Sequence, residues 1–305
     1  MRHALAVACT ALLTACSSTP SPAPTVVHAV TVPSVMLSHL HALARPTNEA
    51  RGVALLAMLE AHDFEPVLHE FPNDSDHDTG RKTGTNIEIT VGDGAREIIV
   101  GAHYDAVRLA DGSLAEGMVD NGASVIALVH VAELLRALGT EHKVRFVFFD
   151  MEELGLVGSR HFAASVDPER VIAMINLDVN AYGDTVFYGA TANGHAPLYT
   201  ALRDTCASLD RDCIGFDHYP PTDNISFQRA GIANISLSVA PRADVHQLWL
   251  LMNDGAALRE GFLPDVIKRI HSPADRFEAV EPAAIVAACD TLAGLVLAID
   301  RAPPQ

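Results

Sequence analysis

Five side chains of the types that bind zinc each stand at the end of an apolar stretch of this chain: His103, Asp120, Glu153, Asp178 and His271. A further carboxylate, that of Glu152, lies beside one of them. A hydrolytic di-zinc site needs two metal ions, a ligand that they share and a free carboxylate that takes a proton from water. Together these residues therefore predict metal-assisted hydrolysis.

Each part of this set, taken alone, has a more ordinary interpretation. His103 and Asp105 lie two residues apart on an extended segment, so both side chains point to the same side and the carboxylate can support the imidazole. Taken without the other residues, His103 is better explained as a core histidine that is hydrogen-bonded to a backbone carbonyl than as a metal ligand. Asp120 alone is best explained as a helix N-cap. Glu152 and Glu153 repel each other unless a cation or a proton relieves them, although a solvated acidic loop is the alternative.

The apolar patterning indicates which elements must position these residues. Strand-like runs at 96–105, 143–150 and 171–179 alternate with helical patterns such as 123–138. This alternation predicts an α/β fold, a three-layer sandwich with a mostly parallel central sheet flanked by helices, formed by a single catalytic domain over residues 35–301. Ligands bind beyond the carboxyl ends of the strands in such sheets. The candidate ligands lie at the ends of these runs, which favours a site over scattered charges.

The first residues have the pattern of an export signal. Residues 1–16 contain a basic start, an apolar run too short to span a bilayer of roughly 30 Å, and a cysteine after small residues. We interpret them as a bacterial lipoprotein signal peptide with Cys16 as the lipid-bearing mature N-terminus; an ordinary cleaved signal is the alternative. Residues 17–34 are expected to form a flexible tether. The prediction is a protein anchored in the bacterial envelope on the periplasmic side, and Ser17 favours the outer membrane.

Charge and cysteine content restrict the partners and the compartment. The formal net charge of −17 argues against nucleic acid as a partner, because basic clusters that could neutralise phosphates are missing from the sequence. An oxidising compartment permits a disulfide between Cys206 and Cys213, but their spacing leaves the bond open.

Five motifs together resemble the secreted di-zinc aminopeptidase family, which also includes glutaminyl cyclases: "GAHYD", "VDNGAS", "FFDMEELGLVGS", "NLD" and "HSPAD". The resemblance covers about residues 83–299 and implies a fold of the zinc-exopeptidase type. It also implies a cis peptide between Asp120 and Asn121. Position by position, it implies one zinc on His103 and Asp178, the other on Glu153 and His271, Asp120 as the bridge, Asp105 as the support of His103, and Glu152 as the general base.

The implied activity is that of a metallo-aminopeptidase, which removes N-terminal residues from peptides with a free N-terminus by a zinc-activated water. Two zinc ions per chain are expected. The alternative is a glutaminyl cyclase, which forms N-terminal pyroglutamate with a single zinc; the run "GSRHF" (158–162) resembles these enzymes. The short "EELGLVGS" link lacks the insertion of the animal-type cyclases. A receptor scaffold without activity is disfavoured, because every ligand position is filled.

Two features depart from the family pattern. Thr222, Asp223 and Asn224 stand where the family often has Ser-Asp-His, so a histidine that contacts substrate is replaced. The segment 246–266 is longer than expected for a minimal member. We expect it either to shape the rim of the pocket or to form an extra surface helix.

Overall fold

The computed structural model describes residues 33–76, 80–189, 196–254 and 262–302. The predicted signal peptide (1–16) and nearly all of the predicted tether (17–34) lie outside the described residues. The first described helix begins at Pro33, whereas the sequence places the start of the domain at residue 35.

The described residues form eight strands and nine helices. The strands are β1 (Val67–Pro72), β2 (Thr83–Val91), β3 (Glu97–His103), β4 (Lys143–Phe149), β5 (Val171–Leu177), β6 (Thr185–Gly189), β7 (Cys213–Phe216) and β8 (Asn234–Ala240). The helices are α1 (Pro33–Leu43), α2 (Asn48–Ala61), α3 (Ala123–Leu138), α4 (Val157–Ser165), α5 (Ala196–Ser208), α6 (Asn224–Arg229), α7 (Arg242–Asn253), α8 (Asp265–Arg269) and α9 (Pro282–Asp300).

All eight strands belong to one sheet, in the order β1-β2-β4-β3-β5-β8-β6-β7. The four central strands β4, β3, β5 and β8 are parallel to one another, and β7 is parallel to β6. The pairs β1–β2, β2–β4 and β6–β8 are antiparallel, so the sheet is mixed around a parallel centre. His103 pairs with Phe149 at the ends of β3 and β4, which places the carboxyl ends of the central strands along one edge.

Helices cover both faces of the sheet because its central strands are apolar on both sides. All seven residues of β3 are buried. Ile98 and Val100 point into the larger apolar cluster under α1, α3 and α9, whereas Ile99 points into a smaller cluster with Phe162 and Phe227 of α4 and α6. This is the period-two alternation of a strand that is buried on both faces. The predicted three-layer α/β fold is confirmed.

Two described helical segments, Met118–Leu138 and Pro282–Asp300, are long and apolar enough to cross a membrane. They are 89% and 72% buried inside the fold, the position of core helices. They contain α3 and α9, which pack against each other and form the centre of one helical layer.

The cysteines at the end of α5 and the start of β7 form the bond that the sequence left open. Cys206 and Cys213 are joined by a disulfide with a Cα–Cα separation of 6.3 Å. Cys289 is a buried thiol on α9.

Candidate metal centre

The edge formed by the carboxyl ends of the central strands holds the predicted site residues. His103 is the last residue of β3, and Asp178 directly follows β5. Glu153 lies in the turn after β4. Asp120 lies in an irregular helical turn, Met118–Gly122, that leads into α3. His271 follows α8 with a φ of 55°, a left-handed backbone that points the chain back towards this edge.

Asp120 lies between two groups of ligands and turns one oxygen towards each. Its Oδ1 is 3.0 Å from Nε2 of His103, and its Oδ2 is 3.3 Å from Nε2 of His271. On the first side, Oδ1 of Asp178 lies 3.7 Å from Nε2 of His103. On the second side, Oε2 of Glu153 lies 3.0 Å from Nε2 of His271. The two groups, His103–Asp120–Asp178 and Asp120–Glu153–His271, each bring their ligand atoms to within 4.8 Å of one another.

The cluster concentrates carboxylates in a buried place, where their negative charge needs protons or cations to offset it. Burial alone would lower the pKa of His103, but carboxylates led by Glu152 raise it well above its usual value. Burial, reinforced by the charge of Asp120, raises the pKa of Glu153 to about 7, and burial raises that of Glu152 well above its usual range. Hydrogen bonds to Asp120 and Glu153 raise the pKa of His271 to about 11. Raised pKa values of both the carboxyl groups and the imidazoles indicate a site that favours bound positive charge.

The donor set fits zinc. Oε1 of Glu153 and Oδ1 of Asp178 are buried and have no hydrogen-bond partner among the residues that the structure describes. Buried carboxylate oxygens are normally bonded, and those that are not call for an ion or a water. Each group combines one imidazole with carboxylates, which are ligands that zinc takes.

Asp105 connects three of the predicted residues. Its Oδ1 accepts a hydrogen bond from the backbone N–H of Glu152 (3.1 Å), and its Oδ2 accepts one from that of Glu153 (3.2 Å). Oδ1 also lies 3.5 Å from Nδ1 of His103. One buried carboxylate thus fixes the turn of the paired glutamates relative to the imidazole, a partner arrangement common around metal ligands.

The sequence did not assign the residues that hold Asp120 in place. The carboxylate of Asp275 accepts hydrogen bonds from the backbone N–H groups of Val119 (2.6 Å) and Asp120 (3.2 Å). The Asn121 side chain donates to the Leu177 carbonyl (2.8 Å), which ties the turn to the end of β5. The peptide bond between Asp120 and Asn121 is cis, as the resemblance implied. The signal for Asp275 was its position at the end of "HSPAD".

A buried guanidinium anchors the chain before and after this centre, also without a sequence signal. Arg51 on α2 is fully buried and donates to the carbonyls of Tyr104 (2.7 Å) and Gly117 (3.1 Å). It also donates to the Glu116 carbonyl. Arg51 therefore holds both the segment that follows β3 and the segment that leads into the Asp120 turn.

The structure describes the positions of the residues that depart from the family pattern. Asp223 is fully buried, and burial raises its pKa to about 7. Asn224 donates to Oδ1 of Asn234 at 3.0 Å and so joins α6 to the start of β8. In the segment 246–266, Leu248 and Val266 line a cavity beside the candidate ligands. The described part of the segment therefore shapes the pocket, one of the two outcomes expected from the sequence.

That cavity has a volume of about 190 Å³ and opens onto Asp120, Glu152, Asp178 and His271. Most of its remaining wall is apolar or aromatic: Val179, Phe187, Tyr219, Pro220, Pro221, Leu248, Val266, Ile267 and Ile270. Ser238 adds a hydroxyl, which is bonded to Tyr219 and to the carbonyl of Asp178. A polar floor of ligands under apolar walls is the usual composition of a small-molecule site.

A parallel-centred sheet that carries two histidine–carboxylate groups around one shared aspartate defines the zinc-exopeptidase class of α/β proteins. Within that class, the chain belongs to peptidase family M28, whose family profile matches residues 86–296. The resemblance inferred from the five motifs is thereby confirmed.

Curated relatives match over parts of the chain. The aminopeptidase YwaD of Bacillus subtilis is 25% identical over 142 residues, which cover 44% of this chain and 30% of that protein. A probable lipoprotein aminopeptidase, LpqL of Mycobacterium tuberculosis, is 32% identical over 115 residues, covering 36% of this chain and 22% of the relative. The chain thus spans less than one third of the length of these relatives.

Solved structures match over most of the chain and show the fold. A Zn-dependent exopeptidase from Parabacteroides distasonis has a TM-score of 0.68 at 17% identity and covers 87% of this chain and 96% of its own. The glutaminyl cyclase of Fimbriiglobus ruber has a TM-score of 0.69 at 19% identity, covering 93% of this chain and 100% of its own. Hydrolase and cyclase share this architecture, so the fold alone does not separate the two reactions.

Proposed function

We propose that the protein is a zinc aminopeptidase that removes N-terminal residues from peptides. The observation that carries this proposal is the position of Asp120, whose two oxygens face two separate ligand groups. A carboxylate placed between two ligand groups suits a centre for two closely spaced ions. His103 and Asp178 would hold one zinc, Glu153 and His271 the other, and Asp120 would bind both.

The chain's own residues account for the proton transfers. Bound zinc polarises a carbonyl and lowers the pKa of a bound water towards about 7. Glu152 belongs to neither ligand group but lines the cavity beside them. It would take a proton from the water that attacks the scissile carbonyl and return it to the leaving amine as the C–N bond breaks. Asp105 would hold Glu152 at a fixed position relative to His103 through the contacts described above.

The cavity wall suggests which N-terminal residues are accepted. Its volume of about 190 Å³ and its apolar lining suit an uncharged aliphatic or aromatic side chain. The substrate's free amine would lie among the carboxylates at the cavity floor. Binding of the free amine at the cavity floor would restrict cleavage to the first peptide bond.

The test compares two arylamides on purified protein, one with an N-terminal leucine and one with an N-terminal glutamine. Mass spectrometry distinguishes release of the first residue from loss of ammonia on ring closure. Release of leucine supports the aminopeptidase. Conversion of the glutaminyl substrate to pyroglutamate, without leucine release, would replace it with the cyclase that shares this fold.

We further propose that the enzyme is exported and held in the bacterial envelope by a lipid on Cys16. The support is the signal pattern of residues 1–16, the tether that follows and the lipoprotein name of one relative. Wild-type protein should partition into the detergent phase of Triton X-114 extracts, and Cys16→Ser should move it to the aqueous phase. Aqueous partitioning of the wild type would contradict the anchor.

A further inference from the structure

Three helices bring three histidines together away from the candidate metal centre. His39 lies on α1, His62 directly follows α2, and His130 lies on α3, about 10 Å beyond the start of that helix at Ala123. The ring centroids of His39 and His62 are 4.8 Å apart, and those of His39 and His130 are 5.4 Å apart. The third separation, between His62 and His130, is 6.4 Å. Three imidazoles therefore share one small volume.

The orientation of His62 is fixed from two sides. Its Nδ1 lies 2.6 Å from Oε1 of Glu133, so this nitrogen carries the proton and donates it to the carboxylate. Arg136, one turn further along α3, donates to the carbonyl of His62 at 2.9 Å. In the neutral ring, a proton on Nδ1 leaves the lone pair of His62 on Nε2. A carboxylate that orients an imidazole in this way is the usual partner of a metal-binding histidine.

The lone pair of His62 points at a second imidazole nitrogen. Nε2 of His62 and Nε2 of His39 are 3.3 Å apart and form a hydrogen bond, in which His39 donates when Nε2 of His62 carries the lone pair. Two nitrogens that each bind a tetrahedral zinc at about 2.0–2.1 Å are themselves about 3.3–3.4 Å apart. The pair thus already has the separation of two ligands on one ion.

The third imidazole has a nitrogen without a hydrogen-bond partner in the part of the chain that the structure describes. Nε2 of His130 and Nδ1 of His39 are buried and lack a hydrogen-bond partner among the described residues. His130 is 7% exposed. Burial and the neighbouring His39 lower its pKa to about 4, so it is neutral near pH 7, the form that binds metals. A buried, neutral and unbonded imidazole is costly unless it receives a partner.

We propose that His39, His62 and His130 form a separate binding site for a divalent transition-metal ion such as zinc, with Glu133 orienting His62. Nε2 of His39 and Nε2 of His62 are the first two ligands. The third ligand would be Nε2 of His130, which reaches the ion only after its side chain rotates from the position described here. Water would complete the coordination from the side where the Glu133 side chain is 33% exposed. Imidazole ligands select zinc, copper or nickel over magnesium or calcium. An ion there would tie α1 to α2 and α3, so metal binding would stabilise this helical layer.

The experiment is a zinc titration of the purified full-length protein by isothermal calorimetry, with bound zinc counted by elemental analysis after gel filtration. Wild type should hold one more zinc per chain than His39→Ala or His62→Ala. The matched control is His41→Ala, which removes an exposed histidine two residues away on α1 and should retain the extra zinc. His271→Ala should also retain it, which separates this site from the candidate catalytic centre.

Unfolding temperatures add a second readout. Added zinc should raise the Tm of wild type, and of His271→Ala, by an increment that is absent in His39→Ala. His39→Gln replaces the alanine variant if circular dichroism shows that the latter does not fold. Equal zinc content in wild type and the His39 variants would overturn the proposal, as would loss of the extra zinc in His41→Ala.

Discussion

The substitution Asp105→Asn tests how far the centre depends on one supporting carboxylate. Asp105 is 1% exposed and accepts hydrogen bonds from two successive backbone N–H groups, those of Glu152 and Glu153. An asparagine keeps the shape but has only one side-chain oxygen. Its amide nitrogen must then face a backbone N–H, so two donors oppose each other in a buried place.

The magnitude follows from this mismatch. A buried donor without an acceptor costs about 1–3 kcal/mol. In a domain of this size about 1 kcal/mol corresponds to about 2–4 °C in Tm, so we expect a fall of roughly 2–12 °C. Displacement of the His103 support should also weaken zinc binding by about 10–100-fold.

Calorimetric unfolding and zinc competition with a chelator measure both effects. The matched control is Asp111→Asn, since Asp111 also accepts from a backbone N–H, that of Ser113 at 2.9 Å, but on an exposed loop. Only one oxygen of Asp111 is used, so the amide oxygen of an asparagine can keep this bond while water solvates the amide nitrogen, and the change should stay within about 0.5 kcal/mol. If Asp105→Asn matched this control in both Tm and zinc affinity, the assigned support role would be wrong.

Three further predictions concern other parts of the molecule. Glu152→Gln should retain zinc while kcat/KM falls by about 10²–10⁴-fold, because the proton carrier is lost; a zinc-replete variant with near-normal turnover would exclude this role. Replacing both Cys206 and Cys213 by serine should lower the free energy of unfolding in urea by about 2–3 kcal/mol, since the bond closes a short loop, and an unchanged midpoint would refute it. Burial alone would raise the pKa of Glu88, but the hydrogen bond and charge of Arg145 lower it below the usual 4.5. The folded state therefore holds this charge more tightly, and its contribution, present above pH 4.5, is lost as the pH falls further. Glu88→Gln should flatten the acid limb of stability measured between about pH 3 and pH 6, and an identical limb would contradict the sign.

The central elements could be predicted because their residues decide them locally. The strands β3, β4 and β5 fall within the runs predicted at 96–105, 143–150 and 171–179, and the helix expected at 123–138 is α3. Strands that are buried on both faces need unbroken apolar runs, and a helix covering them needs an apolar stripe. The antiparallel edges were not predicted, since pairing partners such as β6 and β8 are chosen by distant packing.

The candidate ligands could be predicted from their combination. Each residue alone is weak evidence for a metal site, but the order of all five along the chain is specific. The surrounding supports could not be predicted. Asp275 bonds to Val119 across 156 residues of sequence, and Arg51 reaches carbonyls that no pattern marks. The cluster of His39, His62 and His130 was equally hidden, because three helices separated in sequence must pack before these imidazoles meet.

Anomalous diffraction at the zinc edge, on crystals of the zinc-loaded protein, tests the central claim most directly. The account predicts two peaks at the candidate centre, one beside Oδ1 of Asp120 near His103 and the other beside Oδ2 near His271. A single peak there in fully loaded crystals would contradict the shared-ligand centre and, with it, the aminopeptidase mechanism derived from it.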